Sequence, residues 1–294
     1  KMKFEKAVRR KAKLRLALSG PSGSGKTKGA LLLAEGLGGK IALIDTEHNS
    51  ASLYADAHEF DALNLDPPYS PERFLEAIQA AEGAGYDTLI IDSITHEWSG
   101  KGGCLELVDE IARAKYKGNS WSAWNDITPR HRKFVDALLR SPMHVIVTTR
   151  SKTETAQTEG PNGRKQVVKL GMKAEQRDGI EYEFTTVLDI VHDCHLANAT
   201  KDRTGLFGGD AKIITRETGA MLLRWLESGE EQLKPPERKY NHETALKWLN
   251  EAPTVPTAQI RHERLHALAE SDSQRSDLDS ALNAYMEAAL RAAA

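Results

Sequence analysis

At 294 residues the chain is long enough for one large domain, or a domain with an appendage, and its 40% hydrophobic and 28% charged residues are those of a globular protein. A formal net charge of −2 supplies no global basic field, so any nucleic-acid contact must be a local patch. Two cysteines, Cys104 and Cys194, exclude a disulfide framework and fit a reducing compartment. No apolar run is long enough to span a membrane and the basic start lacks a signal-peptide core, so a cytoplasmic location is expected.

The first residues are strongly basic: Lys1, Lys3, Lys6, Arg9, Arg10, Lys11, Lys13 and Arg15 stand against Glu5 alone. Residues 1–13 read either as a solvated lead-in to the first strand or as a phosphate-contacting or subunit-docking arm. An alternating strand, Leu14 to Leu18, then runs into Gly20-Pro21-Ser22-Gly23-Ser24-Gly25-Lys26-Thr27, followed by Lys28 and an Ala/Leu-rich helix from Gly29 to Leu37. The pattern is G-x-x-x-x-G-K-[ST] in its strand–loop–helix context, the phosphate-binding P-loop. Its glycines let backbone N–H groups curl around phosphate oxygens, and the helix N-terminus adds partial positive charge. Lys26 can reach the β- and γ-phosphates and the Thr27 hydroxyl can ligate Mg²⁺, so ATP and Mg²⁺ are the expected ligands and Gly20 through Lys28 the nucleotide-binding segment.

Gly38-Gly39 ends that helix, and Lys40 to His48 reads as an apolar strand with Asp45 and Glu47 at its C-terminal end, where open α/β sheets place their chemistry. Ser70-Pro71 opens a helix whose apolar face is Phe74, Leu75, Ile78 and Ala81. The next strand, Thr88 to Ser93, is continuously apolar and ends in Asp92, which behind a P-loop has the Walker B form and would hold Mg²⁺ with Thr27. A Gly-rich loop from Trp98 to Gly103, a helix from Leu105 to about Lys115, a loop from Gly118 to Thr128, and a helix starting at Thr128-Pro129 follow. Met143 to Arg150 is another buried strand, and Ser151 to Lys169 a polar segment with a turn at Gly160-Pro161-Asn162-Gly163. A strand from Thr185 to Val191 turns at His192-Asp193 into a returning strand from Leu196, which ends at Lys201-Asp202-Arg203-Thr204-Gly205. His192, Cys194 and His195 lack the second ligand pair a zinc site needs. A helix begins near Thr218-Gly219. The expected layout is a core over 1–228, a Pro-containing linker over 229–240, and a small helical domain over 241–294, with helices near 242–251, 257–270 and 274–291.

The run of βα units with acids at strand ends resembles RecA-type P-loop ATPases over about residues 14–215. Leu43-Ile44-Asp45-Thr46-Glu47-His48 resembles the RecA segment carrying the catalytic glutamate, which implies that Glu47 orients the attacking water; Glu97 is the alternative base. Lys201-Asp202-Arg203-Thr204-Gly205 looks like the K-N-R-F-G motif of the RadA branch. That implies Lys201 and Arg203 reach the γ-phosphate of a neighbouring subunit, in the manner of an arginine finger, within a homo-oligomer. The strand ending in Thr148, Thr149 and Arg150 corresponds to the γ-phosphate sensor position, with Thr149 as a nucleotide contact. The segment from Gly171 to Phe184 and the helical C-terminal piece look like phage-encoded RecA-like ATPases of recombination and single-strand-annealing modules. By that resemblance two loops face single-stranded DNA, with Trp98 stacking a base and Lys101, Lys152, Arg164 and Lys165 binding phosphates. The fold implied is an α/β, RecA-like core with a mostly parallel sheet flanked by helices, a β-hairpin region and an all-α appendage. Three functions remain open: a recombination or annealing ATPase, a helicase-like or replication-accessory motor, and a non-DNA regulatory ATPase. The helical tail would bind a protein partner, such as a single-strand-binding or recombination protein.

Overall fold

The computed structural model describes residues 4, 6–159, 165–230, 242–269 and 271–293. The chain divides into two compact units, Lys1–Glu231 and Gln232–Ala294. The larger unit is built on a nine-stranded sheet. In chain order its elements are β1 (Arg15–Gly20), α1 (Lys26–Leu37), β2 (Ile41–Asp45), β3 (Asp61–Asn64), α2 (Pro71–Gly83), β4 (Thr88–Asp92), α3 (Thr95–Ser99), α4 (Cys104–Lys115), α5 (Ser120–Arg140), β5 (His144–Glu159), β6 (Lys165–Ala174), β7 (Thr186–Ile190), β8 (Leu196–Asp202), β9 (Lys212–Ile213) and α6 (Arg216–Glu227). The strand order is β3-β2-β4-β5-β1-β7-β8-β9, with β6 paired to β5 outside that path. The pairings from β3 through β7 are parallel, whereas β8 and β9 return antiparallel.

Period-two alternation explains how the strands bury both faces. Leu89 and Ile91 of β4 join Val145 and Val147 of β5 against Phe74 and Ile78 of α2 and Phe134 and Leu138 of α5. Ile90 and Ile146 face the other way, onto Leu31, Leu33 and Leu37 of α1 and Leu222 and Leu226 of α6. The two helices on that second face touch through glycines. A Cβ on Gly36 would stand 2.0 Å from the Arg216 carbonyl oxygen, and one on Gly219 would stand 2.2 Å from that of Leu33. Gly219→Ala is therefore expected to cost about 1–3 kcal/mol through backbone overpacking. A lowered urea midpoint at unchanged slope would show it; an unchanged midpoint would contradict the contact.

The basic lead-in is tied down where it is described. The Arg9 guanidinium lies 4.9 Å from the Trp225 ring and donates to the Trp225 carbonyl, and the Lys11 N–H donates to Glu230.

Three sequence expectations change. The loop expected from Gly118 to Thr128 is helical, and α5 begins at Ser120 with Pro129 inside it. The Asn119 side chain accepts the Ser122 N–H, and burial of Ala123 and Ile127 against Val108 and Ala112 of α4 offsets the backbone bond that proline removes. Trp98 belongs to the short helix α3 rather than to a loop. The polar stretch after Arg150 is β-structure: β1 ends beside Arg150, so from Ser151 onward β5 pairs with β6 as an antiparallel hairpin. Ser151 to Glu159 is polar almost throughout, which is why the stretch reads as a loop. The Gly160–Gly163 turn lies outside the described residues, as does the linker from 231 onward.

The smaller unit comprises α7 (His242–Asn250), α8 (Val255–Leu268) and α9 (Asp272–Ala293), packed around Leu249, Ala258, Leu265 and Leu278. The Tyr285 hydroxyl closes it by donating to the Ala252 carbonyl at 2.6 Å. No described helix is long and apolar enough to cross a membrane.

Candidate functional site

The site lies where β1, β2 and β4 end and β5 leaves its pairing with β1 at Arg150. β1 is buried throughout and delivers Gly20 to the sheet edge. Gly25, with φ 93°, caps α1 in a left-handed conformation that favours glycine, and α1 starts at Lys26 with its first N–H groups facing the loop. Within this cradle the Ser24 hydroxyl is buried and unpartnered, and a Cβ at Gly20 would stand 2.5 Å from it. The Lys26 ammonium donates to the Gly20 and Pro21 carbonyls at 2.9 and 2.8 Å, both part of the loop itself. Burial lowers its pKa, against the opposing pull of Asp92 and Glu47. Pro21, Ser22 and Gly23 complete the loop, and Lys28 is exposed.

β5 lies between β1 and β4, so Asp92 at the end of β4 is one strand away from the loop strand. α1 closes that gap. The Thr27 hydroxyl donates to Asp92 Oδ2 at 2.5 Å, and the Thr148 hydroxyl donates to Oδ1. Asp92 is 2% exposed, and burial pushes its pKa up despite both hydroxyls. A buried carboxylate beside a hydroxyl is a hard-oxygen donor pair that suits Mg²⁺.

Glu47 follows β2, whose last residue, Asp45, pairs with Asp92. Asp45 shapes the turn beyond: its Oδ1 accepts the Glu47 N–H at 2.6 Å and its Oδ2 the Ala51 N–H at 2.8 Å. The Ser93 hydroxyl donates to Glu47 Oε1 at 3.2 Å. Arg150, at the sheet neighbour of Gly20, grips the same carboxylate in bidentate fashion, Nε to Oε1 at 2.9 Å and Nη2 to Oε2. Burial alone would raise the Glu47 pKa, but the hydrogen bonds and charge of Arg150 outweigh it and hold the group below the usual range. His96 backs the turn, its Nδ1 2.7 Å from the Thr46 hydroxyl and its ring stacked on Tyr69.

A protein-family model described as an AAA domain matches residues 12–220. The chain belongs to the AAA domain family. It is thereby a P-loop ATPase, of a class that works with ATP and Mg²⁺. No curated protein matches the chain.

In this AAA domain the structure gathers Lys26, Thr27, Asp92 and Glu47, and leaves other candidates elsewhere. Thr149 alternates away from Thr148: its hydroxyl is buried, unpartnered, and lines a cavity of about 230 Å³ with Ser19, Asp189 and Thr200. Lys201 pairs with Val187, which stands beside Ala17, so Lys201 and Arg203 lie back along the sheet from Gly20. Their side chains donate to main-chain carbonyls, Lys201 to Glu181 and Tyr182 and Arg203 to Tyr182. Burial and the neighbouring Arg203 lower the Lys201 pKa. Trp98 stacks on Trp124 at 5.3 Å, while Lys101 and Lys152 are exposed. Arg164 lies outside the described residues, and of Lys165 only the backbone, in β6, is described. Glu97 is fully buried, 3.1 Å from Cys104 Sγ and from His131 Nδ1, enclosed among α3, α4 and α5 and away from the strand edge.

Two features escaped the sequence reading. The Arg150–Glu47 pair joins residues 103 positions apart. The β7–β8 turn sits on the P-loop: His195 Nδ1 is 2.9 Å from the Ser24 carbonyl oxygen, and the His192 ring packs against Gly23. A His-x-x-His turn carries no signal for this; only the pairing of β7 with β1 brings it there.

Proposed function

We propose that the chain is a RecA-like ATPase of the phage recombination and single-strand-annealing type, which binds ATP at subunit interfaces and acts on single-stranded DNA. The observation that carries the reading is the cluster of Thr27, Asp92 and Thr148 beside the P-loop, with Glu47 fixed at the same sheet edge. Lys26 exchanges the Gly20 and Pro21 carbonyls for phosphate oxygens, which join the N–H groups at the start of α1. Thr27 and Asp92 would hold Mg²⁺, which would supply charge neutralisation at the phosphates. Glu47, once released by Arg150, accepts the proton of the attacking water.

The β5–β6 hairpin leaves the sheet directly after Arg150, so the group that releases Glu47 is also the root of the segment offered to DNA. That continuity supports a grip on DNA that depends on the nucleotide. Lys101, Lys152, Arg164 and Lys165 supply the phosphate contacts in this reading, with Trp98 behind them. Lys201 and Arg203, set back from their own P-loop and hydrogen-bonded to the Glu181 and Tyr182 carbonyls, are in this reading the cations for the neighbouring subunit's γ-phosphate.

Mixing tests the interface. Lys26→Ala and Arg203→Ala subunits, each inactive alone, are expected to regain ATP turnover when combined, because intact P-loops then meet intact Arg203. No recovery at any ratio would contradict a site completed in trans.

A further inference from the structure

Beside the hairpin root is an open pocket of about 560 Å³, within the size range of small-molecule sites. Its walls are Trp98, Trp121, Trp124, Pro129, Arg132 and Arg177, with two neutral polar residues completing the lining. Trp98 and Trp124 stack on each other at 5.3 Å with 23° between ring planes, and the Arg177 guanidinium lies 5.8 Å from the Trp124 ring. This pair is anchored in the small core of α3, α4 and α5, so its ring faces are held rigidly. Trp121, one turn earlier on α5, is different: it is 85% exposed, an uncommon state for the largest apolar side chain. Arg132 is also exposed, and neither arginine side chain takes part in an ion pair among the described residues. The charged residues lining the pocket are the two arginines, with no carboxylate among the described lining.

Flat aromatic faces with guanidinium groups match a nucleobase with its phosphate, since bases stack on aromatic rings and phosphates pair with arginine. The pocket is also connected to the nucleotide site. Trp98 follows the Asp92 strand through α3. Arg177 follows Gln176, whose side-chain amide donates to the Ile94 carbonyl at 2.8 Å, while the preceding Glu175 N–H donates to the Arg150 carbonyl. The residues that bracket the hairpin root therefore also build the pocket.

We infer that this pocket is a base-stacking site for single-stranded DNA, in which the exposed Trp121 ring stacks on a base and in which Arg132 and Arg177 hold the flanking phosphates. The inference rests on the single-stranded DNA reading above and adds Trp121, Arg132 and Arg177 to the residues assigned there.

The test is equilibrium binding of fluorescein-labelled oligo(dT) to the full chain with ATP, alongside the same length carrying abasic sites. Trp121→Ala is expected to bind oligo(dT) about tenfold more weakly, the loss of one stacked base, and Trp121→Phe to restore most of it. Wild type and Trp121→Ala should bind the abasic strand alike. The high exposure of Trp121 means the variant keeps its fold, which DNA-free ATP turnover verifies. If Trp121→Ala combined with Arg132→Ala binds oligo(dT) as wild type does, the pocket is not a DNA site and the DNA reading stands without it. If wild type binds no oligonucleotide, the DNA reading itself falls, and the pocket assignment with it.

Discussion

Lys26→Ala is expected to abolish nucleotide binding while leaving the fold intact. The ammonium hydrogen-bonds the carbonyls of Gly20 and Pro21, neighbours within its own loop, so its removal breaks no hydrogen bond to another element among the described residues. Burial already lowers its pKa, so a phosphate that replaces those neutral carbonyls meets a cation poorly served by its surroundings. Charge-assisted hydrogen bonds contribute about 1.5–3 kcal/mol each. Losing two to phosphate would weaken binding by roughly 100-fold or more. Titration with a fluorescent ATP analogue reads the loss, and an unchanged thermal midpoint without nucleotide shows the fold is kept. Binding within a fewfold of wild type would remove Lys26 from the site.

Glu47→Gln is expected to keep ATP binding and lose turnover by about 10²–10⁴-fold, the usual contribution of a general base. The amide can still receive the Ser93 hydroxyl and part of the Arg150 fork, so the turn set by Asp45 persists. It cannot accept a proton. The same carboxylate carries a pH signature. Arg150 holds its pKa below the usual range against the upward pull of burial, so the ionised base survives to lower pH than an ordinary glutamate would. In kcat/KM, which reports the free enzyme where Arg150 still grips Glu47, activity falls as pH drops through that pKa. Arg150→Ala leaves His96 and the Ser93 hydroxyl to oppose burial without it, and the acid limb of the kcat/KM profile should move to higher pH. A limb that stays in place would separate Glu47 from the proton transfer.

Much of this site was legible because its parts are local. The P-loop is contiguous, and glycine, lysine and threonine there need only a strand before and a helix after, which alternation and Ala/Leu content reveal. Asp92 and Glu47 are legible as acids at the ends of apolar strands, since a parallel sheet collects strand ends along one edge. What could not be read depends on pairing across the sheet. Arg150 meets Glu47 only because β5 lies between β1 and β4, and the strand order is not written in any one segment. The placing of Thr148 rather than Thr149 against Asp92 is a matter of pleat, where one residue of register reverses the face. The stretch directly after Arg150 is polar almost throughout, so apolar alternation was silent on its first strand. In α5, Pro129 looked like a helix start because that is its commonest place, while packing against α4 carried the helix through it.

Steady-state ATP turnover with and without single-stranded DNA, measured alongside mass with and without ATP, tests the central claim most directly. The account predicts an oligomer in ATP whose turnover rises when single-stranded DNA is added. A chain that stays monomeric in ATP and hydrolyses it at a rate indifferent to DNA would contradict it.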